Sequence, residues 1–207
     1  MQSSEAIIVF TRNPELGKVK TRLAKEVGDT AALEIYQFLL QHTYEIVRKS
    51  NADKLIWYSN EIIENDIWKG EHFYKHQQQG EDLGERMHFA FQTAFQLGYT
   101  KVCIIGSDLF DLQVAHIQEA FSHLDTNNAV IGPAEDGGYY LLGLTELIPS
   151  LFKDKKWGTS SVYEQSVQNL KETSYTKLTM LNDIDYKKDV LRYPELIEII
   201  EKYKNNL

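Results

Sequence analysis

Apolar residues fall along this chain in short continuous runs that alternate with longer stretches of helical spacing. Ala6-Ile7-Ile8-Val9-Phe10 and Lys101-Val102-Cys103-Ile104-Ile105 read as strands buried on both faces, as in a parallel sheet. Lys54-Leu55-Ile56-Trp57-Tyr58 predicts another strand, and Phe73-Tyr74 a weak edge strand. Asp29-Thr30 opens a helix to about Ser50, with Leu33, Tyr36, Leu40, Tyr44 and Val47 as its core stripe. Gln79–Met87 enters a second helix, whose apolar face includes Met87, Ala90, Phe91, Ala94 and Phe95; a third runs from Val114 to Leu124. Ala129–Leu144 predicts two strands around Asp136-Gly137-Gly138. Thr159 is a candidate N-cap for the next helix, Lys177 to Leu181 predicts a last strand, and two helices joined at Pro194 close the chain. Strand and helix alternate throughout, which is the α/β pattern. No repeat or linker interrupts it, so residues 1–207 are expected to form a single domain.

Composition narrows the function classes. A net charge of -8 argues against a general nucleic-acid binder, so any anionic ligand must meet a local basic patch. The single cysteine, Cys103, sits inside an apolar run and reads as a core residue, not a nucleophile. With one cysteine no disulfide can close within the chain, which suits a reducing compartment. Ala6–Phe10 is too short for a signal peptide or a membrane span, so the expectation is a cytoplasmic protein without a membrane partner.

The candidate chemistry lies where strands end. Lys101–Ile105 runs into Gly106-Ser107-Asp108, which puts a carboxylate at the strand's carboxyl end, where open α/β sheets bind ligands. Asp108 suits a hydrated divalent cation shared with phosphates, and equally an N-cap for the following helix. The first strand leads into Thr11–Leu23, where Arg12, Lys18, Lys20 and Arg22 gather around Gly17. A strand, a flexible basic loop and a helix make a phosphate cradle, its cations expected to be exposed and to contribute little to stability. It is neither a Walker loop, since Val19 follows Gly17-Lys18, nor a dinucleotide fingerprint. Gly80 and Gly84 around Asp82 permit close approach by a base or ribose, or serve an ordinary capped turn. Asp136-Gly137-Gly138 is either a tight hairpin or an active-site wall in which Asp136 supplies a base. Trp157 is an aromatic platform or packing.

Five motifs recur together in order: Gly17-x-x-Lys20-Thr21-Arg22-Leu23, Gln79-Gly80-Glu81-Asp82-Leu83-Gly84-Glu85-Arg86-Met87, Gly106-Ser107-Asp108, Gly132-Pro133-Ala134-x-Asp136-Gly137-Gly138-Tyr139-Tyr140-Leu141, and Asp183-Ile184-Asp185. Over roughly residues 5 to 190 the chain resembles the radical-SAM/selenodomain-associated transferase 1 family. That group is also labelled an arsenosugar-biosynthesis glycosyltransferase and belongs to the glycosyltransferase-A-like nucleotide-diphospho-sugar transferases. One departure is Phe110, where the family usually has proline.

The resemblance implies a three-layer α/β/α fold with a mostly parallel mixed sheet and the nucleotide across the strand carboxyl ends. It implies that Arg12, Gly17, Lys18, Lys20 and Arg22 contact phosphates, and that Gln79, Gly80, Asp82 and Gly84 contact the base or ribose. Asp108 and, in preference to Asp183, Asp185 would hold Mg²⁺ or Mn²⁺, two carboxylates that would repel each other without a cation. Gly137, Gly138, Tyr139 and Trp157 would face the acceptor, with Asp136 as base. The expected activity is metal-assisted transfer of a sugar from a nucleotide sugar to a small-molecule acceptor. The alternatives are guanylyltransferase-like nucleotidyl transfer from a nucleoside triphosphate, releasing pyrophosphate, and nucleotide binding without turnover.

Overall fold

The computed structural model describes residues 3–203. Its frame is a seven-stranded sheet formed by β1 (Glu5–Thr11), β2 (Asp53–Tyr58), β3 (Phe73–Gln77), β4 (Lys101–Ile105), β5 (Ala129–Pro133), β6 (Tyr139–Leu144) and β7 (Tyr175–Lys177). The spatial order is β3-β2-β1-β4-β6-β5-β7. All neighbours pair in parallel except β6, which runs antiparallel between β4 and β5. This is the mixed, mostly parallel α/β sheet that the resemblance implies.

Both faces of the sheet are covered, which is why its central strands are apolar without alternation. Ile7, Val9, Ile56, Cys103 and Ile105 pack against α2 (Asp29–Val47) and α4 (Val114–His123). Ala6, Ile8, Leu55, Trp57 and Ile104 pack on the opposite side against α3 (Leu83–Gln96) and the 3-10 helix Pro149–Phe152. A third cluster joins the outer face of α2, through Ile35 and Leu39, to α1 (Thr21–Val27) and α7 (Pro194–Tyr203). Helix α2 is therefore buried on two sides, and its predicted stripe is one of two.

Some boundaries shift. The last strand is Tyr175–Lys177, not Lys177–Leu181; beyond it Leu178 N–H and Leu181 N–H still donate to the Ile131 and Pro133 carbonyls, at 2.9 and 3.1 Å. Thr159 is not the N-cap of α5 (Val162–Asn169). Ser161 holds that position, and the Thr159 hydroxyl donates instead to the Lys156 carbonyl at 2.7 Å within the loop. Phe110 anchors its turn by packing against Phe38, His42 and Tyr193, with ring centroids 5.5, 5.0 and 5.0 Å away. Cys103 is buried, and burial first of all pushes its thiol up, which fits a core residue.

Candidate active site

β1 and β4 are parallel neighbours in register, Val9 beside Ile105, so the basic loop and Gly106-Ser107-Asp108 leave the sheet side by side. Tyr36 of α2 fastens the two: its hydroxyl accepts from Arg12 N–H at 2.8 Å, donates to the Arg12 carbonyl at 3.0 Å and lies 3.2 Å from Ser107 Oγ. Asp108 does not cap a helix. Helix α4 begins six residues later at Val114, with Gln113 in the cap position.

Lys20, at the foot of α1, adopts a left-handed backbone with φ 46°. Its ammonium lies 2.8 Å from Asp108 Oδ2 and 3.2 Å from Asp185 Oδ1, and its side chain is 4% exposed. The expectation of exposed loop cations therefore fails for Lys20: two carboxylates draw the ammonium inward and repay its desolvation. It holds for Arg22, which is 49% exposed and pairs with Asp185 Oδ2 at 2.9 Å. Burial raises the Asp108 carboxyl, but the attraction of Lys20, helped by Arg12, outweighs it and leaves Asp108 below its ordinary range. Burial likewise disfavours the Lys20 ammonium, and its two carboxylate partners outweigh it in turn. Lys18 points away into an exposed 2.5 Å pair with Glu15.

A cavity of about 230 Å³ opens beside this ion cluster. Asp108, Asp136, Gly138, Tyr139, Trp157 and Asp183 all line it. Asp136 lies on the β5–β6 turn, its Oδ1 accepting from Gly138 N–H at 2.7 Å. The turn is thus both a hairpin and a cavity wall. Gly137, at φ +89°, is pressed against α5's approach: a Cβ there would lie 2.3 Å from the Ser160 carbonyl oxygen. Gly84 shapes the cavity from behind, since a Cβ on it would lie 2.2 Å from the Phe152 carbonyl oxygen and 2.7 Å from the Trp157 indole. Asp82 caps α3, accepting from Glu85 N–H at 2.8 Å, while Gln79 and Gly80 line a separate pocket with His88 and Phe89.

Asp183 faces the cavity without an ion-pair partner among the described residues. Burial, then Asp136, Asp185 and Asp108, push its carboxyl up to about 7. Such crowding of carboxylates signals a surplus of negative charge that a cation would relieve. Among the described residues no group of three or more His, Cys, Asp or Glu side chains is disposed to hold a metal unaided. What is present is the carboxylate oxygens of Asp108, Asp183 and Asp185, donors of the type Mg²⁺ takes when phosphates and water complete its shell.

Residues 41–159 match the model of the family described as "Uncharacterized protein conserved in bacteria (DUF2064)". The chain belongs to DUF2064. Among solved structures, a protein from Desulfovibrio desulfuricans G20, provisionally assigned as a nucleotide-diphospho-sugar transferase, is 32% identical to this DUF2064 chain. The two superpose with a TM-score of 0.86 over 99% of this chain and 96% of the other. The inositol-1-phosphate CTP transferase of T. maritima shares the fold at 14% identity and a TM-score of 0.59, over 100% of this chain and 99% of its own. A Mycobacterium tuberculosis protein in complex with manganese does so at 12% identity and a TM-score of 0.54, over 93% and 99%. Comparison with curated proteins finds no match.

Two residues of this DUF2064 protein were not singled out from sequence in these roles. Tyr36 read as core because its spacing is helical, although its hydroxyl ties the two site loops. Asp183 stood second to Asp185, yet it is Asp183 that lines the cavity, while Asp185 is turned to Lys20 and Arg22. No described helix is long and apolar enough to cross a membrane.

Proposed function

We propose that this DUF2064 protein is a cytoplasmic, nucleotide-sugar-dependent glycosyltransferase of the radical-SAM-associated group, acting as one domain on a small acceptor. The observation that supports it most is the common cavity of Asp108 and Asp136, with the Lys20, Arg22 and Arg12 cations beside it.

In this reading Arg12, Arg22 and the backbone around Gly17 receive the diphosphate, and Lys18 exchanges Glu15 for a phosphate oxygen. The pocket of Gln79 and Gly80 takes the base or ribose, and Asp82 and Gly84 fix its wall by capping α3 and seating Trp157. Asp108 and Asp185 would hold Mg²⁺ or Mn²⁺, with Asp183 as a further donor. When bound, that ion supplies positive charge to the departing diphosphate.

Asp136 acts as base. Its Oδ1 stays fixed by Gly138 N–H, and Oδ2 takes the proton of the acceptor hydroxyl. The acceptor oxygen bonds to the sugar's anomeric carbon as the bond from that carbon to the diphosphate oxygen breaks, and the nucleoside diphosphate carries the electron pair away. Gly137, Gly138, Tyr139 and Trp157 shape the acceptor side.

The test is a calorimetric panel of nucleoside diphosphates, triphosphates and nucleotide sugars, with Mg²⁺, Mn²⁺ or chelator. Tightest binding of a nucleotide sugar or diphosphate is expected, and Asp136→Asn should leave it intact while lowering turnover roughly 10²–10⁴-fold. A triphosphate preference with pyrophosphate release would establish nucleotidyl transfer instead. No nucleotide binding at all would refute both.

A further inference from the structure

Resting on the reading of Asp108 and Asp185 as metal ligands, we propose that Lys20 stands in for the metal in the nucleotide-free protein. Its ammonium occupies the carboxylate pair, keeps a divalent cation out, and yields the pair only when a nucleotide diphosphate arrives. Metal and nucleotide then bind as partners, neither at full strength alone.

The oxygens that a metal would use are already engaged. Lys20 Nζ lies 2.8 Å from Asp108 Oδ2 and 3.2 Å from Asp185 Oδ1, and Arg22 holds Asp185 Oδ2 at 2.9 Å. Two cations thus answer two carboxylates, so this pair has no unmatched charge for a metal to relieve. Arg12 adds further positive charge at Asp108. A divalent cation brought beside the Lys20 ammonium would meet like charge at close range, where repulsion out of bulk water is strong. Asp183 has no such pair among the described residues and lines the cavity. By itself it is a weak hold for an ion that takes several oxygens.

Lys20 is also poised to move. Its backbone is left-handed, with φ 46°, a conformation that costs a residue with a side chain and persists only where the surroundings impose it. The two ion pairs hold its side chain from 88 and 165 positions away. With that side chain 4% exposed, the ammonium cannot leave both carboxylates unless another anion receives it. A diphosphate is the anion that the proposed function brings to this loop. It offers oxygens to Lys20 and to the metal at once, which frees the carboxylates for the metal.

Mn²⁺ titrated by calorimetry into the nucleotide-free full chain tests this. The parent should bind it at least ~10-fold more weakly than Lys20→Met or Lys20→Gln do. Lys25→Met, which removes an exposed charge from the last turn of α1, should behave as the parent. Mn²⁺ should also raise the melting temperature of the two neutral Lys20 variants more than that of the parent, a rescue that a purely structural lysine would not show. A nucleoside diphosphate should tighten Mn²⁺ at least ~10-fold in the parent and by a smaller factor in Lys20→Met, with the reciprocal gain in nucleotide affinity. Neutral variants that bind Mn²⁺ no better than the parent overturn the proposal. Should neither fold, the parent decides: equal Mn²⁺ affinity with and without nucleotide overturns it, and a nucleotide-dependent gain supports it. The parent function is read separately. Metal-assisted nucleotide binding with no Mn²⁺ gain in the Lys20 variants sinks only the stand-in, whereas that gain without any nucleotide binding sinks only the transferase reading.

Discussion

Lys20 holds Asp108 through a 2.8 Å ion pair between residues 88 positions apart in the chain. The same ammonium reaches Asp185 at 3.2 Å, so one lysine stands between the two carboxylates proposed to hold a metal. In the nucleotide-free protein it relieves their repulsion.

Replacing Lys20 should therefore cost stability as well as ligand. Losing one partner of a fully buried pair costs about 3–5 kcal/mol; with Asp108 40% exposed, Lys20→Met should cost about 1–3 kcal/mol. Arg22→Ala, at an exposed position, should stay within about 0.5 kcal/mol yet still weaken nucleotide binding. Urea unfolding of both variants, with nucleotide titrations alongside, checks the contrast. Equal stability losses would mean that burial does not separate the two.

Asp108→Asn keeps the shape of the side chain and leaves Lys20 its second partner, Asp185. Nucleotide-free stability should change by less than about 1 kcal/mol, while the affinity gain from Mg²⁺ or Mn²⁺ disappears. Titrating nucleotide with metal and with chelator measures that gain directly. A full gain in the variant would remove Asp108 from the metal site.

Asp183 should give the protein a readable pH dependence. Its folded carboxyl is pushed up to about 7 from an ordinary 3.8, by burial first and neighbouring carboxylates next. Between those values the folded chain holds a proton that the unfolded chain has released, so this group's contribution to stability falls as pH rises through the window. Asp183→Asn should match the parent's melting temperature near about pH 3.5 and exceed it increasingly up to about pH 8. A constant difference across that range would mean that Asp183 is not charged against its surroundings.

Gly84 should tolerate no side chain. With backbone and indole atoms of Phe152 and Trp157 at 2.2 to 2.8 Å from a Cβ, Gly84→Ala must displace Trp157. Overpacking of this kind costs about 1–3 kcal/mol. A shift in tryptophan emission together with lower urea resistance is expected; an unchanged spectrum and midpoint would show that Phe152 and Trp157 do not close off Gly84.

The sequence by itself determined the central strands and their burial. Ala6–Phe10 and Lys101–Ile105 are apolar without alternation, and only a strand covered on both faces needs that. It also located the basic loop, Asp108 and the Asp136 turn, because Gly, Pro and charged residues punctuate strand ends. The tertiary structure alone decided which of these meet. The parallel pairing of β1 with β4 sets Lys20 against Asp108, and no local pattern carries that partnership across 88 residues. Nor does one encode the antiparallel insertion of β6, which turns the Asp136 hairpin toward Asp108. Asp183 and Asp185 stand two residues apart with the same chemistry, and only the path of the chain after β7 turns one to the cavity and the other to Lys20 and Arg22. Residue type and periodicity fix what a segment can bury; long-range pairing fixes which charges become neighbours, and Lys20 is buried for that reason alone.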